Sequence, residues 1–270
     1  MTGGAIDLNI KRKKTIAFYL PDECWESVFK FLNVVDDDGN NQRNLEPLSL
    51  ISKQFLSITN RLIFSLTVSD PAHPPLRHLF HRFTSLASLD LSHYKGDLNK
   101  LINKISCFPL KLTSLNLSNH LTIPTNGLQA FSQNITTLTS LTCSHMGNLR
   151  SSDLTLIADC FPLLEELDLS KPSVLLIYPI IYPNRMLNGI ETLSLSLAKL
   201  RKVNLTFHIY MNDQSLLNLF KNLKHLEEAI ILRCDEITNA GVASALRERP
   251  TLRSLSFTTM DENNVRILIL

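Results

Sequence analysis

The sequence predicts an α/β protein in which an N-terminal helical module precedes a curved solenoid, with short parallel strands inside and helices outside. Three observations support this fold class. Leucine makes up 50 of the 270 residues. An apolar motif of the form L-x-x-L-x-L recurs from Leu86 onward, and a segment of different composition, including the single tryptophan Trp25, precedes it. With 44% hydrophobic and 19% charged residues, the composition is that of a folded chain rather than a disordered one.

The apolar motif recurs with a regular spacing. It begins at seven leucines: Leu86, Leu112, Leu138, Leu164, Leu200, Leu226 and Leu252. Successive starts are 26 residues apart, except that 36 residues separate Leu164 from Leu200. A strand starting at Ile190 is a rival assignment, but Leu226 and Leu252 keep phase with Leu200 and not with Ile190. The segment 187–198 is therefore predicted to be the helix of one longer repeat.

The spacing within each repeat predicts a strand followed by a helix. The inner apolar residues of the motif alternate with a period of two, which places them on one face of a short strand. The residues that follow have helical spacing, as Leu128 and Phe131 illustrate. A single unit of this kind cannot bury its apolar face, so neighbouring units stack into one core. Because strands pack closer together than helices, the stack bends with its strands on the inner side.

These units resemble leucine-rich repeats, and the segment 226–250, with Cys234 after its strand, resembles the cysteine-containing subtype. Residues are numbered here by position within each repeat, from the first Leu of the motif. The family places Asn or Cys at position 9, and only Cys234 conforms among the seven repeats. We therefore expect the polar ladder of the family to be absent from the inside of this solenoid.

The concave face of the solenoid is the predicted surface for a target protein. Strand positions 3, 5 and 7 should point away from the core, and the candidate target-binding residues among them are Asp90, Asn116, Thr142, Asp168, Asn204, Ile230 and Leu232. Ile230 and Leu232 form an apolar spot within an otherwise neutral to mildly acidic surface. Such a surface does not resemble a basic phosphate-binding groove, so no nucleic-acid partner is expected. An equally open interpretation is that the small residues only permit the strands to curve.

The segment 20–32, which reads LPDECWESVFKFL, has the signals of an amphipathic helix. Pro21 suits the first helical turn, and the acidic residues after it complement the positive end of a helix. Four apolar residues share one stripe: Trp25, Val28, Phe29 and Leu32. Cys24 and Phe31 fall outside the stripe, so the helix has apolar residues on more than one face and is expected to contact a second partner.

Together with Leu48, the sequence LISK at 50–53 and Phe55, this segment resembles the F-box motif, and the variant resembles the large plant set of F-box proteins with leucine-rich repeats. The resemblance implies a three-helix module that binds a Skp-type adaptor, which joins a cullin ubiquitin ligase core. The implied adaptor contacts are Leu20, Pro21, Trp25, Val28, Phe29, Leu50, Ile51 and Phe55. Phe55 replaces the usual tryptophan of the family, and the spacer 33–44 is longer than usual.

The expected domain organisation is a basic flexible tail at 1–17, an F-box at 18–64, a linker or first cap of the solenoid at 65–85, and about seven repeats at 86–270. The last segment, DENNVRILIL, contains no polar capping repeat. It predicts either a truncated product or a solenoid end that a partner covers.

The sequence favours a non-catalytic protein of the cell interior, in the nucleus and/or the cytoplasm. The five cysteines are far apart without a CxxC pair, no apolar run is long enough to span a membrane, and the net charge is only +2. No catalytic motif, metal site or cofactor is expected. The leading hypothesis is a substrate-recognition subunit of an SCF-type ubiquitin ligase. The alternative is a repeat-based interaction or ligand-sensing scaffold whose F-box-like helices only cap the solenoid.

Overall fold

The computed structural model describes residues 20–32, 45–69, 76–172, 184–259 and 262–269. The chain divides into two compact units, Met1–Leu62 and Ile63–Leu270. The predicted basic tail at 1–17, the spacer 33–44 and the segment 173–183 of the long repeat lie outside the described residues.

The first unit contains three helices in its described part: α1 at Asp22–Leu32, α2 at Glu46–Ser49 and α3 at Lys53–Arg61. Ser52 caps α3, because its hydroxyl accepts a hydrogen bond of 3.1 Å from the amide of Phe55. The buried core consists of Phe29, Leu45, Ile58 and Leu62, with Trp25, Leu48 and Phe55 packed against it.

A charged contact joins the first and last of these helices. The Arg61 guanidinium, at the end of α3, lies 3.1 Å from the Asp22 carboxylate and 2.7 Å from the Glu26 carboxylate of α1. The side-chain amide of Gln54 also donates to Asp22 at 2.8 Å. These hydrogen bonds, first that of Gln54 and then that of Arg61, lower the pKa of the Asp22 carboxyl. The contact between α1 and α3 therefore combines the buried Phe29 with these ion pairs and hydrogen bonds, which we call the Arg61 clamp.

The second unit contains a nine-stranded sheet in the order β1 to β9. The strands are β1 Ser65–Thr67, β2 Ser88–Asp90, β3 Ser114–Asn116, β4 Ser140–Thr142, β5 Glu166–Asp168, β6 Lys202–Asn204, β7 Glu228–Ile231, β8 Ser254–Thr259 and β9 Glu262–Ile269. The helices between them in the described ranges are α4 Leu76–Arg82, α5 Leu98–Ser106, α6 Thr125–Asn134, α7 Ser151–Cys160, α8 Asn184–Ser196, α9 Asp213–Asn222 and α10 Asn239–Glu248. Strands β1 to β8 are parallel, which confirms the predicted fold class.

The register of the sheet follows the sequence repeat. Leu89 pairs with Leu115, which pairs with Leu141, so position 4 of each unit lies beside position 4 of the next. These three leucines are at most 1% exposed and lie in the core under the sheet. The rejected strand start, Ile190, lies within α8, and β6 pairs with β5 after it. The longer repeat is thus assigned as predicted.

The described residues of the solenoid contain one unit before the seven that the leucine pattern predicted. Strand β1 pairs in register with β2, and α4 follows it, so the segment expected to be a linker or cap holds the first strand and helix of the stack. Ile63, Leu66 and Val68 have the spacing of the motif, but the first and last are β-branched residues rather than leucines. At the other end, β9 pairs antiparallel with β8, and Leu268 packs against the core. The outer edge of β8, which was expected to lack a cap, is therefore covered by a hairpin partner.

The chain turns sharply at position 8 of five successive units. Positive φ angles between 52° and 69° occur at Asn119, His145, Lys171, Phe207 and Arg233. The amide of each of the first four still donates to the carbonyl at position 7 of the next unit, as for His145 and Ser170 at 2.9 Å. The hydrogen-bonded ladder consequently continues beyond the short strands into the corner.

Position 9 makes a polar contact with the preceding unit in three of the described repeats. The Nε2 atom of His120 lies 2.7 Å from the Leu91 carbonyl, and that of His208 lies 2.8 Å from the Leu169 carbonyl. The Cys234 thiol makes the equivalent contact with the Leu205 carbonyl at 3.4 Å. These contacts do not form a continuous ladder, because Met146 and Pro172 occupy position 9 in the two units between the histidines. The histidine contacts were not predicted because only Asn and Cys were considered at this position.

Gly127, Gly189 and Gly241 allow neighbouring helices to approach closely. A Cβ atom on Gly241 of α10 would lie 1.9 Å from the Asp213 carboxylate of α9, and one on Gly127 of α6 would lie 3.1 Å from the Asn99 carbonyl of α5. The Asp213 carboxylate accepts hydrogen bonds of 2.7 Å from both the amide and the hydroxyl of Thr238, which caps α10. The Thr238 cap of α10 is therefore hydrogen-bonded to Asp213 of α9 in the preceding unit.

We expect His208 to make the stability of the solenoid sensitive to acid. Its Nε2–H donates to the Leu169 carbonyl, its Nδ1 contacts the Tyr210 hydroxyl, and the ring is buried. Burial lowers the pKa of His208 from 6.5 to about 4. Protonation therefore favours the unfolded chain, in which His208 binds a proton more readily. The contribution of neutral His208 to the free energy of unfolding is complete above the ordinary histidine pKa, and about 3 kcal/mol of it is lost as the pH falls toward 4.

Thermal unfolding by circular dichroism between pH 7 and 4 measures this effect. His208→Asn should reduce the slope of stability against pH, and His120→Asn, at the same ladder position but only half-buried, serves as the control. Equal slopes for wild type and His208→Asn would contradict the assignment.

The Arg61 clamp predicts a separate effect on the first unit. Arg61→Gln removes both ion pairs, so the first unit should unfold at lower urea concentration, by the modest amount typical of exposed charge networks. Because the folded-state pKa of Asp22 is lowered, this stabilisation is present above the ordinary Asp pKa and is lost as the pH falls. Fluorescence of Trp25, the single tryptophan, reports this unit alone. Lys53→Gln on the same helix is the control, and an equal midpoint for both variants would refute the clamp.

Candidate protein-binding surfaces

The structure separates the eight predicted adaptor contacts into accessible and buried residues. Leu50 is 83% exposed and Ile51 is 64% exposed in the turn between α2 and α3. Val28 is 41% exposed, Pro21 is exposed and Leu20 is half-buried. These five residues remain available to a partner.

The other three predicted contacts take part in the packing of the first unit, one in its core and two against it. Phe29 is 1% exposed and is reassigned to the core. Trp25 and Phe55 are half-buried, with ring centroids 4.7 Å apart, and both pack against Phe29. The sequence pattern could not separate these roles, because a helix with two apolar faces does not reveal which face turns inward.

Helix α1 has a second apolar face that is open to solvent. Cys24, Val28 and Phe31 follow one another at helical spacing, and all three are exposed. Phe31 is 79% exposed, which makes it an evident contact candidate that was not among the predicted residues. Its position outside the main apolar stripe was the signal that could have identified it.

Position 5 of the solenoid strands faces outward, as predicted, but also shapes the end of each strand. Asp90, Asn116, Thr142, Asp168, Asn204 and Ile230 are all half-buried, between fully buried residues at positions 4 and 6. Four of the side chains accept a hydrogen bond from the amide two residues later; the oxygen of Asp168, for example, lies 2.8 Å from the Ser170 nitrogen. The second oxygen of Asp168 accepts from the Asn204 amide group at 3.2 Å. These residues therefore support the turn as well as line the concave face.

Position 7 departs from the prediction that it points outward. Five of its hydroxyl residues are buried, with exposures between 4% and 8%: Ser92, Ser118, Ser170, Thr206 and Thr258. Three of them, Ser118, Ser170 and Thr206, directly precede a corner residue with positive φ. Leu232, a larger residue at the same position, is half-buried and therefore partly accessible.

Charged residues form two alternating rows along the later strands. At position 3, the Lys202 ammonium lies 3.4 Å from Glu166 and 3.8 Å from Glu228. At position 2, the Arg201 guanidinium lies 2.8 Å from Glu227 and 3.7 Å from Glu165. In the earlier units position 3 holds Ser88, Ser114 and Ser140 instead. The concave face thus changes from hydroxyl groups to neutralised charge pairs along the stack.

The apolar spot predicted at Ile230 and Leu232 is larger than the sequence analysis indicated. Phe207, at the corner of the preceding unit, is 40% exposed, and its amide donates to the Leu232 carbonyl at 2.8 Å. The Arg233 guanidinium lies over the Phe207 ring, 5.8 Å from its centroid. Phe207 was missed because its corner position lies outside the alternating strand pattern.

The buried thiols of the solenoid are structural. Burial raises the pKa of Cys234 to about 12 and raises that of Cys143 further, so both remain protonated at neutral pH and are poor nucleophiles. Among the described residues, no group of three or more His, Cys, Asp or Glu side chains is placed to hold a metal ion. None of the helices in the described ranges is both long and apolar enough to cross a membrane.

Known proteins resemble this chain in fold. Neither models of known protein families nor curated protein sequences match it. The leucine-rich repeat-containing protein LegL7 from Legionella pneumophila is similar in structure, with a TM-score of 0.52 and 16% identity over 82% of this chain and 70% of that one. The Rad7 and Elc1 complex in yeast also matches, with a TM-score of 0.47 and 18% identity over 87% of this chain and 75% of that one. The similarity to LegL7, together with the parallel strands and alternating helices, shows that the solenoid unit has the leucine-rich-repeat fold.

Proposed function

We propose that this chain is the substrate-recognition subunit of an SCF-type ubiquitin ligase. The first unit binds a Skp-type adaptor that joins the cullin core, and the solenoid binds a target protein. In this role the chain supplies binding alone. It raises the local concentration of the target near the ubiquitin-carrying enzyme.

The observation that carries the proposal is the pair of exposed apolar residues between α2 and α3. Leu50 and Ile51 are adjacent and largely exposed, whereas Leu45 and Ile58 on either side are buried. Large apolar side chains exposed together are typical of a protein-binding site. The exposed face of α1, with Val28 and Phe31, offers further apolar area in the same unit.

The concave face supports the other half of the proposal. Its outward positions combine hydroxyl groups, amides and the apolar residues Ile230 and Leu232, which suit the polar surroundings and apolar centre of a protein interface. Because the fixed strands hold these side chains in rows, little ordering is needed when a target binds.

A double variant tests the adaptor half. Leu50→Ser with Ile51→Ser removes two exposed apolar side chains, so folding should be unchanged. Each lost contact is worth about 1.5–3 kcal/mol when buried in an interface, so the adaptor affinity should fall at least about 100-fold. Calorimetric titration of a purified Skp-type adaptor into the full chain measures the affinity.

Leu195→Ser is the matched control, because Leu195 of α8 is 65% exposed but lies in the solenoid unit. It should bind the adaptor as the wild type does. If the wild-type chain does not bind the adaptor, or if the double variant binds equally well, the ubiquitin-ligase function is refuted and the non-catalytic scaffold takes its place.

A further inference from the structure

We infer that the corner of the solenoid around Phe207 binds an acidic segment of a target protein that carries a large apolar side chain. The rim site consists of Lys171, Phe207, Leu232 and Arg233. This inference rests on the proposed function, since it names the chemistry of the target, but its test is independent of adaptor binding.

The backbone places three of these residues side by side on consecutive units. Lys171, Phe207 and Arg233 all occupy position 8 with positive φ. The Lys171 amide donates to the Thr206 carbonyl at 2.7 Å, and the Phe207 amide donates to the Leu232 carbonyl at 2.8 Å. Each residue is thus joined to the next unit by the ladder, and successive corners lie about 5 Å apart. The corner residue with an aromatic side chain consequently lies between two corner residues with cationic side chains on one rim.

The aromatic residue at the centre of this row is not explained by packing. A left-handed corner is unfavourable for a bulky side chain, and the equivalent corner at 119 holds asparagine, which tolerates it better. Burial does not fully compensate for this cost, because Phe207 remains 40% exposed. Next to it, Leu232 is half-buried, so the two side chains offer apolar area at the rim.

The two cations differ from those on the concave strands. Lys202 and Arg201 each lie near two glutamates, which neutralise them. Within the described part of the chain, neither Lys171 nor Arg233 forms an ion pair. Asp235 and Glu236 follow Arg233 in sequence without pairing with it, and the Asp168 carboxylate is already bonded to Ser170 and Asn204. The charge at the rim is therefore available to an external anion.

The geometry of Arg233 favours a carboxylate as that anion. Its guanidinium carbon lies over the Phe207 ring, 5.8 Å from the centroid, and among the described residues the guanidinium has no ion-pair partner. A carboxylate can accept two parallel hydrogen bonds from such a guanidinium. A segment with an apolar side chain against Phe207 and Leu232, and acidic residues on either side, would meet both cations.

Three labelled peptides test this recognition against the full 270-residue chain. One carries a phenylalanine flanked by two glutamates on each side, the second replaces the phenylalanine by glycine, and the third replaces the glutamates by lysines. Fluorescence anisotropy should show binding of the first peptide at least about fivefold tighter than the other two. Raising the salt concentration should weaken this binding, because the charges are exposed.

Two variants and two controls assign the binding to the rim site. Phe207→Asn keeps a residue that tolerates the corner, and Arg233→Gln removes one cation; each should weaken binding of the acidic phenylalanine peptide at least about fivefold. Leu121→Asn and Arg247→Gln alter an exposed leucine and an exposed arginine elsewhere and should leave it unchanged. Thermal unfolding confirms that each variant is folded.

The inference is overturned if the acidic phenylalanine peptide does not bind, if the basic peptide binds equally well, or if Phe207→Asn binds as the wild type does. Titration of the Skp-type adaptor into the same variants separates the two proposals. Rim variants that lose peptide binding but keep the wild-type adaptor affinity support the rim site. A wild-type chain that binds the peptide but not the adaptor supports the rim site and refutes the ligase function.

Discussion

The solenoid depends on hydrogen bonds between units, because its strands are too short to persist alone. Most strands have only three residues. The ladder extends on both sides of them, from the Thr113 amide, which donates to the Ala87 carbonyl at 2.8 Å, to the corner amide of Asn119, which donates to the Ser144 carbonyl at 3.0 Å. Each unit therefore has partners along about twice its strand length, and each apolar layer is sealed only when the neighbouring unit is in place.

The corner at position 8 determines much of what surrounds it. The turn places a residue with positive φ at position 8, and in three of the five units with such a corner the position 5 side chain accepts a hydrogen bond from the amide at position 7. The histidines at position 9 then satisfy a carbonyl of the preceding unit across the interior. Residues that look like a binding surface in the sequence thus also stabilise the chain reversal, and only their remaining exposed atoms are free for a partner.

The repeating part of the fold could be predicted from the sequence because a strict spacing of apolar residues leaves few arrangements that bury them. The 26-residue period located strands β2 to β8, including β6 after the long repeat. Strand β1 was not predicted, because Ile63 and Val68 occupy the apolar positions of the motif in place of leucines. The role of Phe29 could not be predicted, since burial depends on which face of α1 meets α3. Phe207 and the position 9 histidines could not be found either, because neighbouring units, rather than neighbouring residues, give them their contacts.

The alternating charge rows have a consequence for changes in the length of the solenoid. Loss of the unit that begins at Leu200 would place Glu166 beside Glu228 and Glu165 beside Glu227, so that like charges would face each other in both rows. Loss of one of the serine-bearing units, such as the one that begins at Leu112, would leave hydroxyl groups beside hydroxyl groups. Insertion or deletion of a single repeat during evolution therefore creates no charge repulsion in the first half of the stack. In the second half the sign of the charges favours gain or loss of repeats in pairs.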